Sequence, residues 1–293
     1  MSNTILEQLH ETQGAGASAA GSLMLPAAGE ALPVAEGLTL QRDENGLFLE
    51  SDGQILRGDF TRMLPRIKAS NLSSELLVKA AKIKAAKAAV SAPSASAAPV
   101  LAAASTAGSV SIPAATPLTA IDATAGLGED SLLLAAAGFH VHLYERNPVI
   151  FALLQDAHRR AAAVPELAEI VSRMTLHNED STAAMAALAA DQDGENAPFR
   201  PDVVLLDPMF PARQKSSLVK KKLQMIQKLE IPCDDEAALL RAAMETCPKK
   251  LIIKRPPKGP YLAGLKPDHS LSGKAVRFDC FTEPHLRLHK FKF

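Results

Sequence analysis

Between Leu118 and Asn147 the chain reads LTAIDATAGLGEDSLLLAAAGFHVHLYERN, and this stretch limits the possible folds more than any other. Leu118 to Ala123 is a short, mostly apolar run that reaches Asp122, with the length and flanks of a buried parallel strand. Thr124 to Gly128 is a glycine-bearing turn. Ser131 to Ala137 is rich in Leu and Ala and reads as a helix, with Gly138 as its C-terminal stop. His140 to Tyr144 alternates polar and apolar residues as a second strand, which ends on Glu145. The unit is a strand, turn, helix and strand with an acid at the tip of the second strand, so the fold class is α/β.

Each part of the unit has a chemical use. Gly126 and Gly128 let backbone approach a ligand that a Cβ would keep away. The helix behind them begins with free N–H groups. The carboxylate of Glu145 suits a ribose diol, because it accepts from both hydroxyls. A nucleoside-bearing cofactor follows, and both NAD and S-adenosylmethionine qualify. The turn favours the second, because it lacks a complete G-x-G-x-x-G. Glu129 and Asp130 at the helix start would repel a pyrophosphate but receive a cationic ammonium or sulfonium. Asp122, at the end of the first strand, joins the cofactor-facing set.

Net charge is zero, so its distribution matters more than its sum. Residues 1–59 hold nine acids and two bases, whereas residues 249–293 hold eleven bases and three acids, which puts a basic face on the C-terminal part. The three cysteines, Cys233, Cys247 and Cys280, show no close pairing, which argues against a disulfide scaffold or a metal site and for a reducing, cytoplasmic setting. Ala88 to Ile121 carries no charge and is long enough to span a membrane, but its Ala, Ser and Pro content reads as a linker.

The remaining chain organises around the central unit. Residues 1–36 read as a disordered acidic tail and 37–87 as a small α+β region. Within that region, Leu38 to Leu40 and Leu47 to Leu49 flank Asn45-Gly46 as a hairpin, and Asn71 or Ser73 caps a helix through Lys84. Residues 88–117 form the linker and 118–293 the main domain. Pro148 opens a helix, and Met174 to His177 is a third strand ending in Asn178-Glu179-Asp180. Glu179 or Asp180 there accepts from an adenine amino group, and Asp180 also suits an N-cap for Ser181 to Ala190.

Asp202 to Leu206 is a fourth strand that delivers Asp207-Pro208-Met209-Phe210-Pro211. A strand running into Asp-Pro-x-aromatic resembles the D/N-P-P-Y/F loop of amino-group methyltransferases. An exocyclic amine on a base is conjugated and a poor nucleophile. A carboxylate oxygen and a rigid backbone carbonyl, here Asp207 and Pro208, accept its two N–H bonds and turn the lone pair toward the donor. Phe210 stacks on the base. Lys215, Lys220, Lys221 and Lys222 follow with no acid among them, and Lys254-Arg255-Pro256 follows the fifth strand, Leu251 to Ile253; these bases are the candidate RNA contacts. Lys274 to Thr282 alternates as a final strand.

Taken together, DATAGLGED, ERNPV, LDPMFP, QKSSLVKKK, IKRP and RFD resemble the ribosomal RNA small subunit methyltransferase J family. That resemblance implies a Rossmann-like, seven-stranded domain that binds S-adenosylmethionine. It implies methylation of the exocyclic N2 of one guanosine in bacterial 16S rRNA, with the small ribosomal subunit as partner and neither metal nor membrane involved. It implies cofactor contacts at Glu129, Asp130, Glu145, Arg146, Glu179, Asp180 and Asp207. Two positions depart from the family pattern: Glu129 stands where relatives often carry Arg, and Glu179-Asp180 where small hydroxyl residues are common. The rival readings are an amino-group methyltransferase for DNA adenine or protein glutamine, a ribosome assembly factor that binds nucleotides without turnover, and a nicotinamide reductase.

Overall fold

The computed structural model describes residues 23–83, 117–191, 199–208, 225, 226, 228, 229, 235–283 and 286. Two sheets form among them, one of four antiparallel strands and one of seven. The second carries the central unit. Its strands are β5 (Thr119–Asp122), β6 (His140–Tyr144), β7 (Met174–His177), β8 (Val203–Leu206), β9 (Lys250–Arg255), β10 (His269–Ser272) and β11 (Arg277–Thr282). They lie in the order β10-β11-β9-β8-β5-β6-β7. β5 to β9 run parallel, and β10 and β11 close the sheet as an antiparallel pair. The chain builds outward from β5 through β6 to β7, then returns to place β8 on the other side of β5. This reversal leaves a crevice beyond the C-terminal ends of β5 and β8, where open α/β sheets take ligands.

The central strands β5 and β8 are largely apolar on both faces because both faces are covered. Val203 and Leu205 enter one core with Leu132, Leu133, Val141 and Leu154. Val204 and Leu206 point the other way, into a core with Ile121, Leu240, Ile253 and Phe281. The first layer contains helices α4 (Glu129–Ala136), α5 (Pro148–Ala161) and α6 (Pro165–Val171). The second contains α7 (Ser181–Ala190) and α8 (Glu236–Glu245). Gly138 takes φ +97° after α4, the left-handed conformation expected of a helix stop.

The N-terminal sheet is larger than its sequence suggests. β2 (Leu38–Asp43) and β3 (Gly46–Ser51) form the expected hairpin, with Asp43 opposite Gly46. β1 (Ala31–Ala35) and β4 (Gln54–Leu56) extend it on either side. Residues 31–35 are therefore ordered strand, a correction to the disordered tail expected over 1–36; residues 1–22 lie outside the described residues, as do 84–87 and, of the linker, 88–116. β1 was hidden because only Val34 of its five residues is buried, so it has no alternating stripe. The sheet packs Leu38, Leu40, Leu47 and Leu49 against Val149, Ile150 and Leu153 of α5. Buried Asp156 of α5 also accepts from the Leu47 N–H at 3.1 Å while pairing with Arg159 and Arg160.

The single capped helix expected through Lys84 is instead broken. α1 (Leu64–Ile67) and α2 (Ala69–Leu72) precede α3 (Leu76–Ala81), whose N-cap position is Glu75 rather than Asn71 or Ser73. Asn71 spends its side chain on the Pro65 carbonyl at 2.8 Å, and Glu75 pairs with Arg66 at 2.7 Å. Leu77, Ala80 and Ala81 of α3 still reach the main core.

Gly128 ties the N-terminal region to the glycine turn. It sits at φ +79°, and a Cβ there would meet Leu154 Cδ1 at 2.6 Å and Phe60 Cζ at 3.0 Å. Gly128→Ala is expected to destabilise the protein by about 2 kcal/mol or more, from left-handed strain plus overpacking. Gly138→Ala has the strain without the clash, since among the described residues nothing lies within 4 Å of its Cβ position, and should cost less. Urea unfolding of both variants checks this; equal losses would mean that the Phe60 contact carries no strain.

Candidate active site at the carboxyl edge of the central sheet

The C-terminal ends of β5, β6, β7 and β8 bring together the Gly126 turn, Glu145, Asn178 to Asp180 and Asp207. These segments lie 19 to 81 residues apart in sequence but converge because parallel strands in register end together. Each carboxylate is held by a specific bond. Glu145 is buried; its Oε2 accepts from the Gly126 N–H at 3.0 Å and its Oε1 from the Asn147 N–H at 2.7 Å. Asn178 Nδ2 donates to the Glu145 carbonyl at 2.8 Å. Asn147 also caps α5, its Oδ1 accepting from Val149 and Ile150.

Gly126 takes φ +53°, and among the described residues no atom lies within 4 Å of where its Cβ would be. Gly126 therefore keeps the open approach expected of a ligand-facing glycine, whereas Gly128 is filled from below by Leu154 and Phe60. Asp122 is buried rather than presented to the crevice. It accepts from the Ser131 hydroxyl at 2.5 Å and the Thr124 N–H at 3.2 Å, which fixes the turn. At 2% exposure Asp122 holds the loop from within the fold, which corrects its expected place among direct contacts.

Asp207 closes β8. Its N–H donates to Thr124 Oγ1 at 2.6 Å, which stitches the end of β8 to the turn after β5. Its Oδ2 lies 2.9 Å from Lys254 Nζ, which also contacts Asp130 Oδ2 at 2.5 Å. Lys254 thus bridges α4 and β8 from inside the site, a correction to its expected role on RNA. Arg255 is corrected more strongly. Its side chain is 1% exposed, donates from Nε to the Pro260 carbonyl at 2.8 Å, and faces Glu236 at 3.7 Å, so no phosphate reaches it. Alternation along β9 sends these neighbours to opposite faces, which a run of two bases conceals.

Glu179 is exposed and faces His177 at 3.4 Å. Asp180 caps α7, accepting from the Thr182 N–H at 2.7 Å, as the cap reading anticipated. Arg146 is exposed. Pro208 is buried. Phe210, Lys215, Lys220, Lys221 and Lys222 lie outside the described residues. An open cavity of about 370 Å³ flanks β7, lined in part by His142, Tyr144, His177 and Phe199; among the crevice residues it includes only Glu179. Thr124, Ser131, Asn147 and Asn178 were missed in the sequence. A hydroxyl directly after the first strand and Asn at two strand tips were the available signals.

Burial pushes Asp122 and Glu145 up to about 7, against the hydrogen bonds that favour their ionised forms. Burial also raises Asp207, while Lys254 pulls it back. Such raised groups stabilise the fold while protonated, fully below their unfolded values and less as pH rises through about 7. Burial lowers His142, which acts in the opposite sense but below its ordinary value of 6.5. The cofactor-free protein is therefore expected to lose about 2 kcal/mol between pH 6 and pH 8. Denaturant titrations across that window check it; a flat profile would mean that these two carboxyls ionise normally.

The donor set suits S-adenosylmethionine. It offers an open glycine backbone, a buried carboxylate at the second strand tip, and further acids around a crevice that would receive a sulfonium and an ammonium. Among the described residues, no cluster of three or more His, Cys, Asp or Glu could hold a metal ion. No described helix is long and apolar enough to cross a membrane.

Comparison with known proteins agrees with this chemistry. Residues 102–283 match the family model for SAM-dependent methyltransferases. Ribosomal RNA small subunit methyltransferase J of Neisseria meningitidis (serogroup C, serotype 2a) is 42% identical over 163 residues, covering 56% of this chain and 63% of that protein. The protein of the same name from Nitrosococcus oceani is 44% identical over 161 residues, covering 55% and 61%. The chain thus spans under two thirds of the length of these relatives. A crystal structure of a SAM-dependent methyltransferase from Neisseria gonorrhoeae superposes with a TM-score of 0.58 at 29% identity, covering 86% of this chain and 84% of that one.

Proposed function

The chain belongs to the SAM-dependent methyltransferase family, and we propose that it methylates the exocyclic N2 of a guanosine in bacterial small-subunit ribosomal RNA. The observation that carries this reading is Asp207-Pro208 at the end of β8, tied through Thr124 to the turn that bears Gly126. This supports reading Asp207, at the rim of the cofactor crevice, as the carboxylate that accepts the amine. The 42% and 44% identical relatives named for small-subunit ribosomal RNA point to the substrate class.

When bound, S-adenosylmethionine supplies a methyl group activated by a sulfonium. The residues of this chain do the rest. Glu145 receives the ribose hydroxyls, and Gly126 lets the backbone come close. The acids around Asp130 favour a cationic ligand. Asp207 and the Pro208 carbonyl accept the two N–H bonds of the guanine amine and fix its lone pair toward the methyl group. Phe210 stacks on the extruded base. Glu179 or Asp180 receives the adenine amino group.

Substrate capture falls to the bases after Phe210. Arg213 to Lys228 holds six bases and no acid, immediately beyond the base-stacking loop. Phosphate contacts there offset the cost of unstacking the target. Replacing Lys220, Lys221 and Lys222 together by Ala is expected to weaken RNA binding and flatten its salt dependence, with cofactor affinity unchanged. Superimposable salt series for the wild type and the triple variant would move the RNA face elsewhere.

The substrate class is tested by offering radiolabelled S-adenosylmethionine with undermethylated small subunits, duplex DNA or a release-factor peptide. Label in the RNA supports the proposal. Label in DNA or peptide would favour another amino-group methyltransferase, and binding to the subunit without transfer would favour an assembly factor.

A further inference from the structure

We propose that Lys254 is a positioning residue for methyl transfer, holding the Asp207 carboxylate in the charged form that accepts the substrate amine. This rests on the assignment of Asp207 as the amine acceptor and extends it to how that acceptor is kept competent.

The geometry is a bridge of three side chains from three elements. Lys254 leaves β9, which lies parallel to β8 with Ile253 opposite Leu206. Its ammonium touches Asp207 Oδ2 at 2.9 Å and Asp130 Oδ2, from the first turn of α4, at 2.5 Å. The ammonium binds one oxygen of Asp207, and among the described residues no side chain donates to the other, Oδ1. Lys254 therefore fixes the rotation of the carboxylate while leaving an acceptor for the amine.

The surroundings make that charge costly without Lys254. Asp130 and Asp122 face Asp207 with like charge from α4 and β5, and burial adds to their effect. Lys254 and, more weakly, Arg255 are the opposing cations from β9. A protonated Asp207 keeps an acceptor oxygen but loses the negative charge that draws the developing positive charge on the amine. In the transfer, the amine nitrogen forms a bond to the methyl carbon, the carbon–sulfur bond breaks with its electron pair going to sulfur, and the nitrogen then gives up one proton to water. An ionised Asp207 favours the cationic nitrogen that precedes this loss.

This separates a positioning role from a merely structural one. Lys254→Met removes the cation. Its turnover at saturating cofactor is expected to fall at least tenfold at pH 7 and to recover toward the wild-type value near pH 9, because the acid limb of the pH–rate profile moves up by a unit or more. Lys254→Arg should keep the limb in place. Asp130→Asn leaves Lys254 to Asp207 alone and should move the limb down. Independently of activity, the carboxyl carbon of Asp207, followed by ¹³C NMR in cofactor-free protein, should titrate at higher pH in Lys254→Met than in wild type.

A turnover loss of equal size at all pH values, with an unmoved Asp207 titration, would overturn the proposal while leaving the amine-acceptor reading intact. If Asp207→Ala itself leaves turnover unchanged, both fall. Should Lys254→Met fail to fold, the opposite shift expected of Asp130→Asn still decides: no shift in that variant overturns the proposal.

Discussion

Asp207→Ala is expected to lower turnover at saturating S-adenosylmethionine by about 100-fold or more while changing cofactor affinity little. The backbone N–H of residue 207 would still reach Thr124 Oγ1, so the strand end should keep its place. What is lost is the carboxylate that aligns a weak nucleophile, and alignment counts most at the transition state. Asp207→Asn keeps an acceptor oxygen and should be milder. Steady-state kinetics with calorimetric cofactor binding separates the two effects. If Asp207→Ala lost only cofactor affinity, with saturated turnover intact, the orienting role would be wrong.

Glu145→Ala is expected to weaken S-adenosylmethionine binding by about 1–3 kcal/mol, as ribose hydroxyls lose their acceptor. The structure adds a second cause. Glu145 holds both the Gly126 N–H and the Asn147 N–H, so its removal also loosens the turn and the start of α5. Glu145→Gln retains one acceptor oxygen and should lose less. Because burial holds Glu145 near 7, cofactor binding to its ionised form should release protons around neutral pH. Calorimetry in buffers of different ionisation enthalpy reads both quantities. Unchanged affinity in a folded Glu145→Ala protein would remove this residue from the ribose site.

Much of the main sheet was legible in the sequence because its signals are local. Val203 to Leu206 is apolar on both faces and bounded by Asp202 and Asp207, so a buried parallel strand was the natural reading. β6 matched its expected span because its residues alternate polar and apolar, and β7 because Asn178-Glu179-Asp180 marks its end. α6, beginning at Pro165, went unrecognised: only Leu167 and Val171 of its seven residues are buried, too few for a clear stripe. β1 and β4 were lost because a strand of three to five residues at or near a sheet edge has little pattern to read.

The site divided along a similar line. Glu145, Gly126 and Asp207 could be singled out in the sequence because strand tips and glycine turns announce themselves, and the structure gathers them at one sheet edge. The partners of those groups were not, because they come from distant sequence. Nothing in IKRP says that Lys254 points between two carboxylates while Arg255 turns into the core. The sequence offers two adjacent cations, and two basic neighbours read as a phosphate-binding face. Only the pairing of β9 with β8, and the position of α4 above them, distinguishes the two roles. Asp122 was misplaced for a related reason: its carboxylate serves Ser131, nine residues on, rather than a ligand.

The central claim is that this crevice methylates a guanine amine in small-subunit ribosomal RNA. Its most direct test is digestion of small subunits, undermethylated before incubation with the protein and S-adenosylmethionine, followed by mass spectrometry of the nucleosides and of the RNA fragments. The account predicts N2-methylguanosine at one nucleotide, formed by the wild-type protein and nearly absent with Asp207→Ala. A methyl group on adenine, on a ring nitrogen or on ribose, or no methylated nucleoside at all from folded, cofactor-binding protein, would contradict it.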